Sequence, residues 1–223
     1  PTWMGLSADR RNLMIANSSG ENITVLNLDT MQNEGLIFMP AGHHPVSVAA
    51  DNGTVLVAVR TSAGGKLDWV ELGRRTAFDL GTTLGRPGVY QNILHLNTVM
   101  VPTADQTGII IVEPDGKVKR WDAANQEVVL ARQDVTAWGG AVTPGPTTIV
   151  VGNHILNHSL VLQATFSDLP NLPAGFTFVG DGAVRTSAPT GLFVDTGAVA
   201  RFDVRRPTVR QSPVRVVEQP PLP

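Results

Sequence analysis

Leu13-Met14-Ile15-Ala16 and, beyond the polar stretch 17–22, Ile23-Thr24-Val25-Leu26-Asn27 form the pair of runs on which the fold turns. The pair recurs four times. Its first member returns as Val55-Leu56-Val57-Ala58, Val99-Met100-Val101-Pro102, Ile149-Val150-Val151-Gly152 and Leu192-Phe193-Val194-Asp195. Its second member returns as Leu67-Asp68-Trp69-Val70-Glu71, Ile109-Ile110-Ile111-Val112-Glu113, Ser159-Leu160-Val161-Leu162-Gln163 and Val199-Ala200-Arg201-Phe202-Asp203. The first members start 42, 44, 50 and 43 residues apart, and the polar ends of the second members keep similar step at 44, 42, 50 and 40. A period of this size marks stacked supersecondary units.

Each unit holds about four short β-branched runs bounded by Gly, Pro, Asn and Asp, which predicts four strands. In the first unit these are 3–7, 12–16, 22–28 and 36–39; in the second, 45–49, 54–59, 66–72 and 76–80. The later units are expected to begin near Gln91, Trp138 and Ala183. No stretch carries an apolar face at helical spacing over three turns. The second strands are apolar at consecutive positions, the pattern of strands covered on both sides. A small sheet sandwiched between two neighbours meets that demand. The prediction is an all-β chain: a β-propeller of about five four-stranded antiparallel blades, or part of a larger propeller. Residues 1–204 form the propeller, and 205–223, rich in Pro and Arg, supply a last strand near Val214–Val217 and a C-terminal linker.

Composition narrows the function. Among 223 residues, 42% are hydrophobic, 16% are charged against roughly 25% in ordinary domains, and the formal net charge is -2. That balance lacks the basic footprint of a nucleic-acid binder, and no apolar stretch approaches the ~20 residues of a membrane helix. Cysteine is absent, which excludes disulfides and thiolate metal sites. The chain starts at Pro1, consistent with a segment removed upstream. The 22 glycines and 16 prolines suit many tight turns.

The segment Leu6-Ser7-Ala8-Asp9 through Leu13-Met14-Ile15-Ala16-Asn17, then Asn22–Thr30, then Pro40-Ala41-Gly42-His43-His44-Pro45-Val46-Ser47-Val48 resembles the YVTN-type β-propeller repeat. Ala8-Asp9 stands for that family's Pro-Asp turn, Met14-Ile15-Ala16-Asn17 for its Tyr-Val-Ala-Asn core, and Asn27-Leu28-Asp29 lies near its Ile-Asp. The resemblance covers residues 3–60; later units keep the hydrophobic skeleton and lose the signature letters. It implies a mostly bacterial, exported protein, placed outside the cytoplasm, and propellers that often have seven blades.

Links from a blade's outer strand to the next blade, together with turns between second and third strands, share one end of each sheet. Ligands of propellers usually bind there. The candidates at that end are His43, His44, Arg60, Arg86, Trp138, His154 and Asp181, with Asp105 and His158 beside them. Imidazoles at 43, 44, 154 and 158 raise a metal hypothesis. Adjacent histidines in one turn chelate one ion poorly, however, and a spacing of four shares a face only on a helix. No metal site or cofactor is therefore expected. Glu71, Glu113 and Asp203 recur at one place in the repeat and are expected to serve turns at the opposite end. The Asn-x-Ser/Thr triplets at Asn17, Asn22, Asn52 and Asn157 fit turn chemistry as well as glycan acceptors.

No nucleophile elbow, phosphate loop, dinucleotide fingerprint or zinc-protease motif is present. The expectation is a non-catalytic, extracytoplasmic scaffold for a protein or glycan ligand, joined to further domains or blades of a longer parent chain. A propeller-type lyase or lactonase with residues meeting over the channel mouth, and a structural cell-surface component, are the alternatives.

Overall fold

The computed structural model describes residues 3–52, 54–84, 90–135, 142–145, 147–152, 154–165, 176–179, 182–187, 198–203, 206–210 and 214–215. Among them there is strand and turn but no helix, so nothing helical is long and apolar enough to cross a membrane. The chain divides into two compact units, Pro1–Asp134 and Val135–Pro223.

The first unit holds three antiparallel sheets of four strands. Sheet 1 is β1 (Trp3–Leu6), β2 (Asn12–Asn17), β3 (Asn22–Asn27) and β4 (Gln32–Phe38). Sheet 2 is β5 (His44–Ala50), β6 (Val55–Thr61), β7 (Gly64–Glu71) and β8 (Thr76–Asp79). Sheet 3 is β9 (Val99–Pro102), β10 (Gly108–Val112), β11 (Val118–Asp122) and β12 (Glu127–Arg132). In each, strands pair in chain order. The turn before every fourth strand ends on a left-handed residue: Met31 (φ 56°), Arg75 (φ 53°) and Gln126 (φ 53°). Three non-glycine residues held in that sparsely allowed region at the same place mark one repeated turn.

The core lies between sheets. Met14, Ala16, Ile23, Val25 and Ile37 of sheet 1 pack on Val48, Val55, Val57, Val59 and Val70 of sheet 2. The other face of sheet 2, with Leu56, Ala58 and Leu67, meets Met100, Ile109, Ile111 and Trp121 of sheet 3. Both faces of β6 are thus covered, which explains why Val55–Val59 is buried without alternation; Gly108–Val112 of β10 is buried at every position as well. First strands β1, β5 and β9 lie side by side. Glycine at position 5 permits the approach of β1 to β5, since a Cβ there would stand 2.6 Å from the Val48 carbonyl oxygen.

The second unit holds two sheets. Sheet 4 is β13 (Val142–Pro144), β14 (Thr148–Val151), β15 (His154–Asn157) and β16 (Leu162–Thr165). Sheet 5 is β17 (Phe176–Val179), β18 (Gly182–Ser187), β19 (Ala198–Asp203) and β20 (Arg206–Arg210), with β21 (Val214–Arg215) also pairing with β19. The Pro/Arg-rich end of the chain therefore contributes strands to the last sheet. Repeated four-stranded antiparallel sheets, packed face on face in the first unit, define a protein of the β-propeller class.

The phase of the repeat differs from the sequence expectation in sheet 3, whereas Ile149–Val151 is a second strand and Val199–Asp203 a third strand, as expected. The run Val99–Pro102 is a first strand, not a second, and Ile109–Val112 is a second strand, not a third. The cause is local: Pro114-Asp115-Gly116 turns the chain straight after Val112, with Gly116 at φ 90°, and admits a further hairpin, β11–β12, before the unit ends. In sheet 4 the run at 159–163 likewise falls on the turn and fourth strand. The run Leu192–Asp195 lies outside the described residues.

Candidate functional site

In the first unit, the end of each sheet that carries the turn between second and third strands also carries the link to the next sheet. Two clusters of ionisable groups form there.

The first surrounds the link between β4 and β5. A turn at 40–43 is closed by the His43 amide bonding the Pro40 carbonyl at 3.0 Å, and the Gly42 amide bonds Glu21 Oε1 at 2.9 Å. This aims the two histidines apart. His43 Nδ1 lies 2.6 Å from Asp68 Oδ2, and Asp68, on β7, is wholly buried. Burial pushes the Asp68 carboxyl above the ordinary carboxylate range, and the hydrogen bond with His43 offsets part of that rise. Lys66 pairs with Asp79, whose carboxyl it holds below the ordinary range. His44 opens β5, lies 4.0 Å from Glu21 Oε1, and faces Arg60 across the β5–β6 ladder. The Arg60 guanidinium reaches the Ser18 carbonyl at 3.4 Å. Three of the candidates are therefore neighbours, yet the His43 side chain is only 13% exposed and is spent on the buried Asp68.

The second cluster encloses space. The link between β8 and β9 is clamped against β7 by Asn92, which is buried and uses its whole amide. Its Oδ1 accepts from the Leu67 amide at 2.7 Å, and its Nδ2 donates to the carbonyls of Leu67 at 2.9 Å and Gly81 at 2.8 Å. Next to it the Leu94 amide bonds the Gly65 carbonyl at 2.8 Å. Only glycine fits at 65, because a Cβ would lie 2.5 Å from the Leu94 oxygen. So fixed, the link puts Leu94 into the core and leaves Ile93 64% exposed. A cleft of about 530 Å³ opens beside it, walled by Tyr90, Ile93, His95, Lys117, Ala131 and Gln133.

Glu113 and Lys119 line the inner part of this cleft. Glu113 ends β10 and Lys119 sits on β11, so the Pro-Asp-Gly hairpin folds one back on the other. Lys119 Nζ lies 2.7 Å from Glu113 Oε1, with both side chains buried. The approach is off the line of a good hydrogen bond, so charge rather than direction holds the pair. Glu113 Oε2 accepts the His95 amide at 3.0 Å, tying hairpin to link. Farther out, Lys117 and Asp115 pair at 2.6 Å, which lowers the Asp115 carboxyl and raises the Lys117 ammonium relative to their ordinary values. The cleft thus has an apolar wall and acid–base pairs that neutralise one another.

Glu113 corrects the sequence expectation. It belongs to a turn between second and third strands, at the end opposite to the one expected, and makes a buried ion pair rather than a simple turn contact. Lys119, Asn92 and Tyr90 went unmarked in the sequence; the Pro-Asp-Gly turn between two charged residues was the available signal. Asp105 also moves: it lies between first and second strands, where its carboxylate accepts from the Thr107 amide at 3.1 Å. In the second unit, His154 opens β15 and His158 follows its last residue. They stand at opposite ends of one strand, about 13 Å apart at ~3.3 Å per residue. The Nδ1 of His154 lies 3.4 Å from the Thr165 hydroxyl, and the Nε2 of His158 lies 3.4 Å from the Gly145 carbonyl. Arg86, Trp138 and Asp181 lie outside the described residues. Among the described residues no group of three or more His, Asp or Glu is arranged to hold a metal ion. Asn17 and Asn157 serve turns and neighbours: Asn17 bonds Asn22 at 2.7 Å, and Asn157 Oδ1 accepts the Ser159 and Val161 amides.

No protein-family model matches the sequence, and no curated protein does. Solved structures match in fold. A chain of the Kuenenia stuttgartiensis hydrazine synthase superposes with a TM-score of 0.59 at 12% identity, covering 92% of this chain and 63% of that one. A chain of a mitotic checkpoint complex superposes with a TM-score of 0.66 at 13% identity, covering 96% of this chain and 65% of that one. Both are β-propeller proteins, which agrees with the architecture. At such identities the likeness concerns the fold alone. The chain spans less than two thirds of the length of each.

Proposed function

We propose that this chain is a non-catalytic binding module, an extracytoplasmic propeller of the YVTN-type repeat class, which takes a segment of a partner protein into the cleft beside sheet 3. The observation that carries the reading is the cleft's combination of shape and charge. It is large enough for one or two side chains, apolar along Tyr90, Ile93 and Ala131, and closed at its charged part by the Glu113–Lys119 pair. A site of this kind rewards an aliphatic or aromatic anchor whose backbone finds polar partners at the edge. Acid–base chemistry would instead require a titratable group freed from its partner and aimed at a substrate. A protein ligand is favoured over a glycan because sugar sites lean on aromatic platforms, and among the described residues Tyr90 is the one Phe, Trp or Tyr side chain lining this cleft. The likeness to a chain from a multiprotein complex supports the same choice. The resemblance of residues 3–60 to an exported repeat family supports placement outside the cytoplasm.

The test uses a random peptide library displayed on phage, selected on the whole chain. Enriched peptides should share an apolar anchor and should bind Ile93→Asp at least tenfold more weakly. Selection of peptides that bind both proteins equally would move the site elsewhere. For location, export of the full-length protein in its own host, read by protease shaving of intact cells, supports the reading; a protease-resistant intracellular pool overturns it.

A further inference from the structure

Both faces of sheet 1 carry large apolar side chains, but only one is covered. Met14, Ala16, Ile23, Val25 and Ile37 are buried against sheet 2. Ladder partners share a face, so Met4 with Ile15, Leu6 with Leu13, and Leu13 with Leu26 lie on the opposite side. Leu36, opposite Thr24, and Phe38, opposite Asn22, join them. Met4 is 58% exposed, Leu6 45%, Leu36 43% and Phe38 68%. An apolar patch of this continuity on a sheet marks a contact surface.

The register of sheet 2 shows what kind of contact. There Val48 faces Val57, Ala50 faces Val55, and Val55 faces Val70, in the same ladder positions as Met4–Ile15, Leu6–Leu13 and Leu13–Leu26. Those five residues of sheet 2 are buried, because sheet 1 lies on them. Sheet 1 therefore presents, uncovered, the same face that sheet 2 uses to receive a neighbour. The polar residues in the middle of the patch are partly paired with one another: Asn17 Nδ2 donates to Asn22 Oδ1 at 2.7 Å and to Thr24 Oγ1 at 2.9 Å, so covering the face leaves the Asn17 amide donors satisfied.

We infer that the Met4–Leu6–Leu13–Ile15–Phe38 face of sheet 1 seats a further propeller blade, a four-stranded antiparallel sheet presenting aliphatic side chains. That blade packs as sheet 1 itself packs on sheet 2. This chain matches 63% and 65% of the two solved propeller chains, so about a third of each lies outside the match. This surface is independent of the cleft beside sheet 3.

The test is a chain extended at Pro1 by a second copy of residues 1–43. The added sheet brings its Met14, Ala16, Ile23, Val25 and Ile37 face against the open one. The extended protein should melt at least ~4 °C higher, a shift on the scale of one kilocalorie for a domain of this type. Amide exchange in β1–β4 of the original sheet should slow tenfold or more. Met4→Asp with Phe38→Asp, placed in the original sheet, should abolish both gains. The same pair in the unextended chain should leave its melting point nearly unchanged, because both side chains are exposed. Unchanged melting and exchange in the extended chain would overturn the inference. So would a concentration-dependent dimer of the unextended chain that this pair dissolves, since the occupant would then be a second copy.

Discussion

Two pairs of ionisable side chains lie at the same end of neighbouring sheets, and they do different things. His43–Asp68 joins the link before sheet 2 to β7, with the imidazole mostly buried against a wholly buried carboxyl. Glu113–Lys119 sits where sheet 3 fails to close on the link before it, so the pair lines an open cleft. In sequence the first looked more like a site, because adjacent histidines draw attention and a Glu at the end of an apolar run does not. The comparison shows that an unusual residue in a propeller link can be a plug. The site is where the link stands off from the sheet.

The largest test of that contrast is to remove one charge from the inner part of the cleft. Lys119→Met leaves Glu113 buried with only the His95 amide as partner. Breaking a buried pair this way should cost about 3–5 kcal/mol in denaturant unfolding. Lys119→Met with Glu113→Leu should recover most of the loss, because the pair is replaced by apolar groups of similar size. A single-variant cost under 1 kcal/mol would mean that the pair is hydrated and the cleft deeper than described.

Next in size is the clamp. Asn92→Ala removes three buried hydrogen bonds and leaves the Leu67 amide unpaired, with an expected cost of about 1–3 kcal/mol. Faster amide exchange should appear at Leu67 and Leu94 before it appears in sheet 1. Uniform exchange across the unit would show that the link is not a separate device.

Sheets 1 and 2 were legible in sequence to within two residues at most strand ends, because the strands there are bounded by Asn, Asp or Gly that turn the chain locally; the exception is β4, which starts at Gln32, four residues before the expected 36. Sheet 3 was not, for a physical reason. Val99–Val101 and Ile109–Val112 are equally apolar, since one is a first strand and the other a covered second strand, and hydrophobicity alone cannot order them. Glu113 was visible but misplaced with the phase. Lys119 could not be read, because its burial depends on a carboxylate across a hairpin, and Val118-Lys119-Arg120-Trp121 looks like a strand with a wet face. Asn92 carried no pattern at all; its role follows from the approach of a link to the edge of β7. Local punctuation thus determined the sheets, and the site depended on how a link settles on its neighbour.

The plug has its own signature in pH. Burial raises the folded-state pKa of Asp68, so ionising it costs the fold as pH rises from the ordinary carboxylate range through that raised value. Asp68→Asn removes this dependence. The stability of the variant relative to the parent should therefore climb over that interval, read by denaturant midpoints at successive pH values. Asp115, depressed by its bond with Lys117, acts in the opposite sense in both proteins and cancels from the difference, whereas the Asp79 carboxylate acts on Asp68 and contributes to the rise that Asn removes. A flat difference would place Asp68 in contact with water and weaken the distinction between plug and cleft.

The smallest change in stability should come from the residue on which the binding proposal leans most. Burial alternates along the link: Asn92 and Leu94 are buried, and Ile93 stands at the cleft wall at 64% exposure. Ile93→Asp removes an apolar contact that the free protein scarcely uses, and surface changes of this kind shift unfolding by no more than about 0.5 kcal/mol. Its effect on peptide capture should be large by comparison, tenfold or more, equivalent to about 1.4 kcal/mol. A structural residue moves both quantities together, and a residue outside the site moves neither. Separation of the two at Ile93, set beside their joint loss at Asn92, is what a cleft built by a clamped link requires.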